Sequence, residues 1–298
     1  MRVFVTGASG WIGSAVVDEL LTAGHEVTGL ARSDASAAAI EAKGARVRRG
    51  DLDDLDGIRL GAQEAEAVIH LANKHDWSNP AATNAAERAA VHTIGEALAG
   101  TDRPFLLASG VAGLAQGRPA TEDDASPFHG PDSPRGGSEN LALEFADRGV
   151  RAASLRFAPS VHGTGDHGFI AVLAAIARQK GVSGYPGDGT HRWAAVHRLD
   201  AARLVTLGLH KAPAGARLHA IDEEGVPTRE IAQAIGRAFG LPVTSIAPED
   251  VQDHFGWIGT FFGADLSATS TATRELLGWT PTGPTLLEDL DAGAYSVR

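Results

Sequence analysis

Thr6-Gly7-Ala8-Ser9-Gly10-Trp11-Ile12-Gly13 decides how this chain folds. Ahead of it, residues 2–6 are β-branched and aromatic; behind it, Ile12, Val16 and Leu20 recur along one helical face of residues 11–23. A glycine-rich turn between a strand and a helix suits a dinucleotide pyrophosphate. The glycines allow a tight turn and close backbone approach. The helix start adds unpaired N–H groups and the positive end of its dipole. Gly7, Ser9, Gly10, Trp11, Ile12 and Gly13 are therefore expected to line the phosphates.

The second strand, residues 27–31, selects the nucleotide. An acid about 20 residues past the glycines would accept from a ribose 2′-hydroxyl, whereas an arginine accommodates a 2′-phosphate. Here the strand ends Leu30-Ala31-Arg32-Ser33, with no acid before Asp34. Arg32 offers a charge-assisted fork and Ser33 a hydroxyl, so the expected cofactor is NADP(H).

Further segments alternate: helix 34–43, strand 46–49, helix 53–60, strand 67–71, helix 80–98, strand 105–108, helix 138–147 and strand 152–157. The pattern predicts an α/β fold, a Rossmann-type doubly wound parallel sheet with a smaller C-terminal substrate-binding lobe. Residues 1–160 are assigned to the nucleotide-binding domain, with 191–220 returning to it, and residues 161–190 and 221–298 to the lobe. Residues 161–168 and 182–190 read as Gly-rich loops around a cleft. Residues 228–239 read as an amphipathic helix capped by Thr228.

Composition narrows the function. The 298 residues are 43% hydrophobic and 21% charged, enough for a full core, so global disorder is excluded. A net charge of −11 argues against nucleic acid or an anionic membrane as partner. Cysteine is absent, which removes disulfides, a thiol nucleophile and Cys-bearing metal sites. The 12 histidines form no H-E-x-x-H pair, so no metal is expected. The apolar run 169–177 stops at Arg178, short of the ~20 residues a bilayer needs, and Thr6-Gly7 comes too soon for a signal-peptide apolar stretch, so no targeting segment is expected. A cytoplasmic protein acting on a small-molecule substrate is expected.

Four more stretches follow the glycine loop: Gly50-Asp51-Leu52, Val68-Ile69-His70-Leu71-Ala72-Asn73, Val196-His197-Arg198-Leu199-Asp200 and Leu277-Gly278-Trp279-Thr280-Pro281. In that order they resemble the extended, atypical branch of the short-chain dehydrogenase/reductase superfamily, which includes sugar-nucleotide epimerases and dehydratases. The resemblance implies that Asp51 and Leu52 contact adenine, with Asp51 receiving the base amino group. It implies that Leu71, Ala72 and Asn73 lie along the cofactor and that Pro159 and His162 touch it. It also implies a homodimer through the helices after the fourth and fifth strands.

One part of the resemblance breaks. That superfamily's reductases carry Y-x-x-x-K on the helix after the fifth strand. The two tyrosines here are Tyr185, with Gly189 four residues on, and Tyr295 near the end; Lys43, Lys74, Lys180 and Lys211 lie elsewhere. Arg135 and Glu139 stand in the Tyr and Lys places. Ser109 ends the fifth strand as the hydroxyl candidate, with Gly110 or Val111 in the alternative register. Proton supply then falls to histidine, which titrates near neutrality. The candidates are His75 in Lys74-His75-Asp76-Trp77, oriented by Asp76, and His162 or His167 after the sixth strand. Lys74, Tyr185, Trp193 and Trp257 are expected to line the substrate cleft, and Phe255, Phe261 and Phe262 to form a lid or core corner beside it. Three functions fit: an NADP(H)-dependent reductase of a small carbonyl or imine, a nucleotide-sugar epimerase or dehydratase, or a non-catalytic NADP(H)-sensing regulator.

Overall fold

A computed structural model describes residues 1–76 and 78–296. Its first half runs β1 (Arg2–Thr6), α1 (Trp11–Thr22), β2 (Glu26–Ala31), α2 (Asp34–Glu41), β3 (Arg46–Arg49), α3 (Leu55–Glu64), β4 (Ala67–His70), α4 (Pro80–Leu98), β5 (Pro104–Gly110), α5 (Ser138–Glu144) and β6 (Arg151–Phe157). The second half runs β7 (Ser160–His162), α6 (Phe169–Lys180), β8 (Ser183–Pro186), β9 (Arg192–His197), α7 (Arg198–Lys211), β10 (Arg217–Ala220), β11 (Glu223–Pro227) and α8 (Thr228–Phe239). It ends with β12 (Val243–Ile246), α9 (Val251–Phe255), α10 (Gly259–Phe262), α11 (Thr271–Leu277) and α12 (Leu286–Asp291).

Seven parallel strands form the central sheet in the order β10-β6-β5-β4-β1-β2-β3. Strand alternation splits its apolar side chains between two cores. Val3 and Val5 join Val16, Leu20, Leu204 and Trp279 on one face, while Phe4 joins Ile58, Ile94 and Phe145 on the other. Burial on both faces is what an all-parallel sheet requires. Strand order reverses between β1 and β4, so their carboxyl ends flank the crevice where doubly wound sheets bind ligands.

A third core, built on Trp193, Phe255, Ile258, Phe262 and Leu286, lies under α6, α8 and the C-terminal segments. Strands β11-β9-β7 make a small mixed sheet there, and β8 pairs with β12. Three expectations need correcting. Residues 161–162 and 183–186, read as loop, are in strands because Val161 finds Val196 and Ser183 finds Val243. Thr228 does not cap α8: Pro227 holds that position, and Thr228 is a fully buried first residue. The helix expected from residue 53 is capped by Asp54, whose carboxylate accepts from Gly57 N–H at 3.0 Å. No helix among the described residues is long and apolar enough to cross a membrane.

Candidate cofactor and substrate site

The glycines of the first turn have separate tasks. Gly7 has φ +70°, and a Cβ there would stand 2.8 Å from the Ala72 nitrogen. A Cβ on Gly13 would meet the Gly7 carbonyl at 2.0 Å. Gly10 is exposed, with only the Gly7 carbonyl near its absent Cβ, at 3.1 Å. Gly7 and Gly13 thus pack the turn, whereas Gly10 keeps the space before α1 open. No side chain caps α1, so its first N–H groups remain available to an anion. Ser9 is exposed beside them. This cradle fits a dinucleotide pyrophosphate.

Trp11 braces the turn. Its indole N–H donates to the Val161 carbonyl at 2.7 Å, its ring lies 4.1 Å under the Arg198 guanidinium, and His167 stands edge-on at 5.8 Å. Ile12 is half-buried against the core. Arg32 is exposed and has no ion-pair or hydrogen-bond partner among the described residues. Ser33 instead caps α2, accepting from Ser36 N–H at 3.2 Å. Asp51 folds its own turn, Oδ1 accepting from Asp53 and Asp54 N–H, and Leu52 is buried.

The carboxyl edge of β4 gathers a polar cluster. Glu87 on α4, its side chain 1% exposed, accepts from Asn73 with one carboxylate oxygen and from Arg135 with the other. Asn73 Oδ1 in turn accepts from His75 N–H at 2.8 Å. His75 and Arg135 both hold left-handed backbone, φ +51° and +55°, a strain that concentrates at functional sites. Burial, then the charges of Arg135 and His167, hold the His75 imidazole below its ordinary range. Asp76 does not orient His75, because its carboxylate accepts from the Ser78 N–H and hydroxyl. Lys74 pairs with Asp53 at 2.7 Å. Trp77 lies outside the described residues.

A second network starts at Ser109. Its hydroxyl donates to Glu139 at 2.7 Å, and Glu139 accepts from Arg156 Nε at 2.8 Å. Arg156 is fully buried and also faces His219 Nε2 at 3.3 Å, while His219 Nδ1 donates to the Thr269 carbonyl at 2.7 Å. Burial works against the Arg156 charge, and the Glu139 carboxylate sustains it. Glu139 is therefore committed to a structural ion pair.

The remaining candidates scatter. His162 is fully buried, its Nδ1 held by Asp289 of α12 at 2.6 Å, rather than facing an open cleft. His167 is exposed and Pro159 half-buried on the same edge. Trp193 is a core residue, its indole N–H donating to the Phe261 carbonyl at 3.0 Å. Tyr185 lies on the β8–β12 ribbon with Arg229 5.1 Å over its ring. Trp257 is exposed and meets Phe169 edge-on at 5.7 Å; Phe255 and Phe262 are core. Tyr295 donates to Asp166 at 2.8 Å, and burial drives its phenol well above the usual range. Sequence reading passed over Glu87, Arg156 and Asp289. For Arg156 a signal existed: a charge inside Ala152-Ala153-Ser154-Leu155-Arg156-Phe157, a strand with both faces covered, must be paired.

A seven-stranded parallel sheet with a glycine turn opening a helix at its switch point defines a nucleotide-binding protein of the Rossmann type. Residues 3–221 match the NAD dependent epimerase/dehydratase family, and the chain belongs to that family. It is 45% identical over 296 residues to an uncharacterised protein of Schizosaccharomyces pombe, covering 99% of this chain and 100% of that one. It is 29% identical over 260 residues to the 2′-dehydrokanamycin reductase of Streptomyces kanamyceticus, covering 83% and 69%. Its fold superposes on MoeE5 in complex with UDP-glucose and NAD with a TM-score of 0.74, covering 99% and 97% at 24% identity.

Proposed function

We propose that this chain is an NADP(H)-dependent oxidoreductase that reduces a small carbonyl or imine substrate. The observation that carries the cofactor choice is Arg32, a free cation just past β2 on the side of the open glycine cradle. The likeness to a reductase supports the reaction class. NADPH supplies the hydride when bound; the chain's own groups hold it, orient the substrate and move a proton. Arg135 and His75, fixed through Glu87 and Asn73, face that task, with exposed His167 edge-on to Trp11 beside the glycine turn. His162 is left out by its burial.

The test is a pair of titrations. NADPH should bind more tightly than NADH by roughly 10–100-fold, the worth of about 1.5–3 kcal/mol for a charge-assisted contact, and Arg32→Ala should abolish the difference. Equal dissociation constants in the parent protein would overturn the assignment. Because the His75 imidazole is depressed, its protonated form gains only below pH 6.5. Reduction should therefore accelerate on acidification with a midpoint under 6.5, and His75→Gln should flatten that limb. A second reading, an NADP(H) sensor, draws on the two tyrosines, one on the ribbon and one tied to Asp166. Tight NADPH binding without turnover of any carbonyl would decide for it.

A further inference from the structure

Away from the β4 cluster, Tyr295 and Asp166 make a buried contact, being 8% and 6% exposed. The Tyr295 hydroxyl donates to Asp166 Oδ2 at 2.8 Å, and Asp166 Oδ1 accepts from the Gly168 N–H at 2.6 Å. The Asp166 N–H donates to the Gly163 carbonyl at 3.1 Å, which closes residues 163–168 into a compact turn. His167 lies between the two anchored residues and is itself exposed. Burial and then the Asp166 charge drive the phenol upward, so it keeps its proton and can only donate to that carboxylate.

That turn is wrapped on Trp11, the first residue of α1. The Val161 carbonyl accepts from the indole N–H at 2.7 Å, and the His167 ring stands edge-on at 5.8 Å. A Cβ on Gly163 would lie 3.5 Å from Trp11 Cζ2, and one on Gly165 3.9 Å from Cζ3. The far end is equally fixed. Leu286 N–H donates to Glu223 at 2.7 Å, Asp289 holds His162 at 2.6 Å, and Arg237 pairs with Asp291 at 3.0 Å. Tyr295 thus reaches Asp166 from a segment with three anchors of its own.

We propose that Tyr295 is a positioning residue of the cofactor site: through Asp166 it fixes His167 beside the open start of α1, where the imidazole donates to the cofactor diphosphate. The first turn of α1 has no side-chain cap, and an imidazole N–H adds a further donor there. Both Asp166 oxygens are engaged, so the exposed group this turn presents is His167 rather than the carboxylate. Residues 286–295, distant in sequence from the glycine turn, thereby set how tightly the diphosphate is held. The inference rests on the dinucleotide reading of that turn and is independent of the reaction catalysed.

Two measurements on the full-length protein test it. Calorimetry compares NADP⁺ with 2′-AMP, which keeps the 2′-phosphate but lacks the diphosphate. Tyr295→Phe should weaken NADP⁺ by about 3–10-fold, the worth of one hydrogen bond, and leave 2′-AMP unchanged. His167→Ala should weaken NADP⁺ at least as much, and Tyr295→Phe should add nothing in that background. Hydrogen exchange without ligand is the second readout: the Gly168 amide should exchange faster in Tyr295→Phe, while the amides of α1 keep their parental rates. Additive losses in the double variant, or equal weakening of NADP⁺ and 2′-AMP, would reduce Tyr295 to a stabiliser of the lobe and overturn the proposal. Faster Gly168 exchange with unchanged NADP⁺ affinity would overturn it too. A parent protein that took NAD⁺ instead would lose only the cofactor choice, and NAD⁺ against AMP would then carry the same comparison. Binding of neither dinucleotide would defeat the reading of the glycine turn, and the proposal with it.

Discussion

Gly10 and Gly13 sit three residues apart, yet substitution should separate them cleanly. A side chain on Gly13 runs into backbone 2.0 Å away, so Gly13→Ala should give little folded protein. In Gly10→Val the Cβ meets only the Gly7 carbonyl, at 3.1 Å, a contact relieved by a few tenths of an ångström, so the variant should keep its fold by circular dichroism while losing NADPH binding. Unchanged affinity in Gly10→Val would mean the pyrophosphate lies elsewhere. His70 makes a pH prediction. Burial, with a smaller push from Arg135, lowers its pKa from the ordinary 6.5 to about 3. The unfolded chain takes up that proton near 6.5 and the folded chain does not. The contribution of His70 is thus full above pH 6.5 and is lost as pH falls toward 3, at about 1.4 kcal/mol per pH unit. Denaturant midpoints from pH 7.5 to 4 should fall less steeply in His70→Asn, which retains an acceptor for Thr6; identical slopes would sink the assignment. The glycine turn between β1 and α1 was legible because such a loop has local syntax. The cluster around Glu87 was not: within Ala85-Ala86-Glu87-Arg88-Ala89 an acid reads as solvated helix face, and only the fold brings Asn73 and Arg135 to it.

Elements formed where residue period and partner agreed. Helix α4 begins at Pro80 with Asn79 capping, as its Ala-rich run and proline predict. Strands β7 and β8 escaped because three- and four-residue stretches with Gly and Pro show no period, and their pairing comes from distant β9 and β12. Helix α5 is bound to β6 by the Glu139–Arg156 pair, with Arg156 0% exposed. Removing one partner of a buried pair costs about 3–5 kcal/mol, because the other charge is stranded. Glu139→Gln should therefore lower stability by that order, whereas Glu139→Met with Arg156→Leu should recover most of it. A loss under ~1 kcal/mol in the single variant would show that the ion pair is not what holds α5 in place.

Across the molecule the lobes interlock. Trp11 reaches Val161, and Glu122 accepts from the Thr273 N–H and hydroxyl. Strand alternation revealed the doubly wound sheet, but the edge strand's partner 60 residues upstream left no local mark. That edge has a temporal meaning. β10 covers β6, yet Phe157 and Ala220 are separated by 63 residues of chain. At about 5–20 residues per second, a ribosome needs roughly 3–13 s between completing β6 and releasing the strand that shields it. For that interval a nascent sheet shows an unpaired, apolar parallel edge to its surroundings. Synthesis of this chain thus opens a window in which a chaperone, or a neighbouring nascent chain, competes with the protein's own residues 217–220.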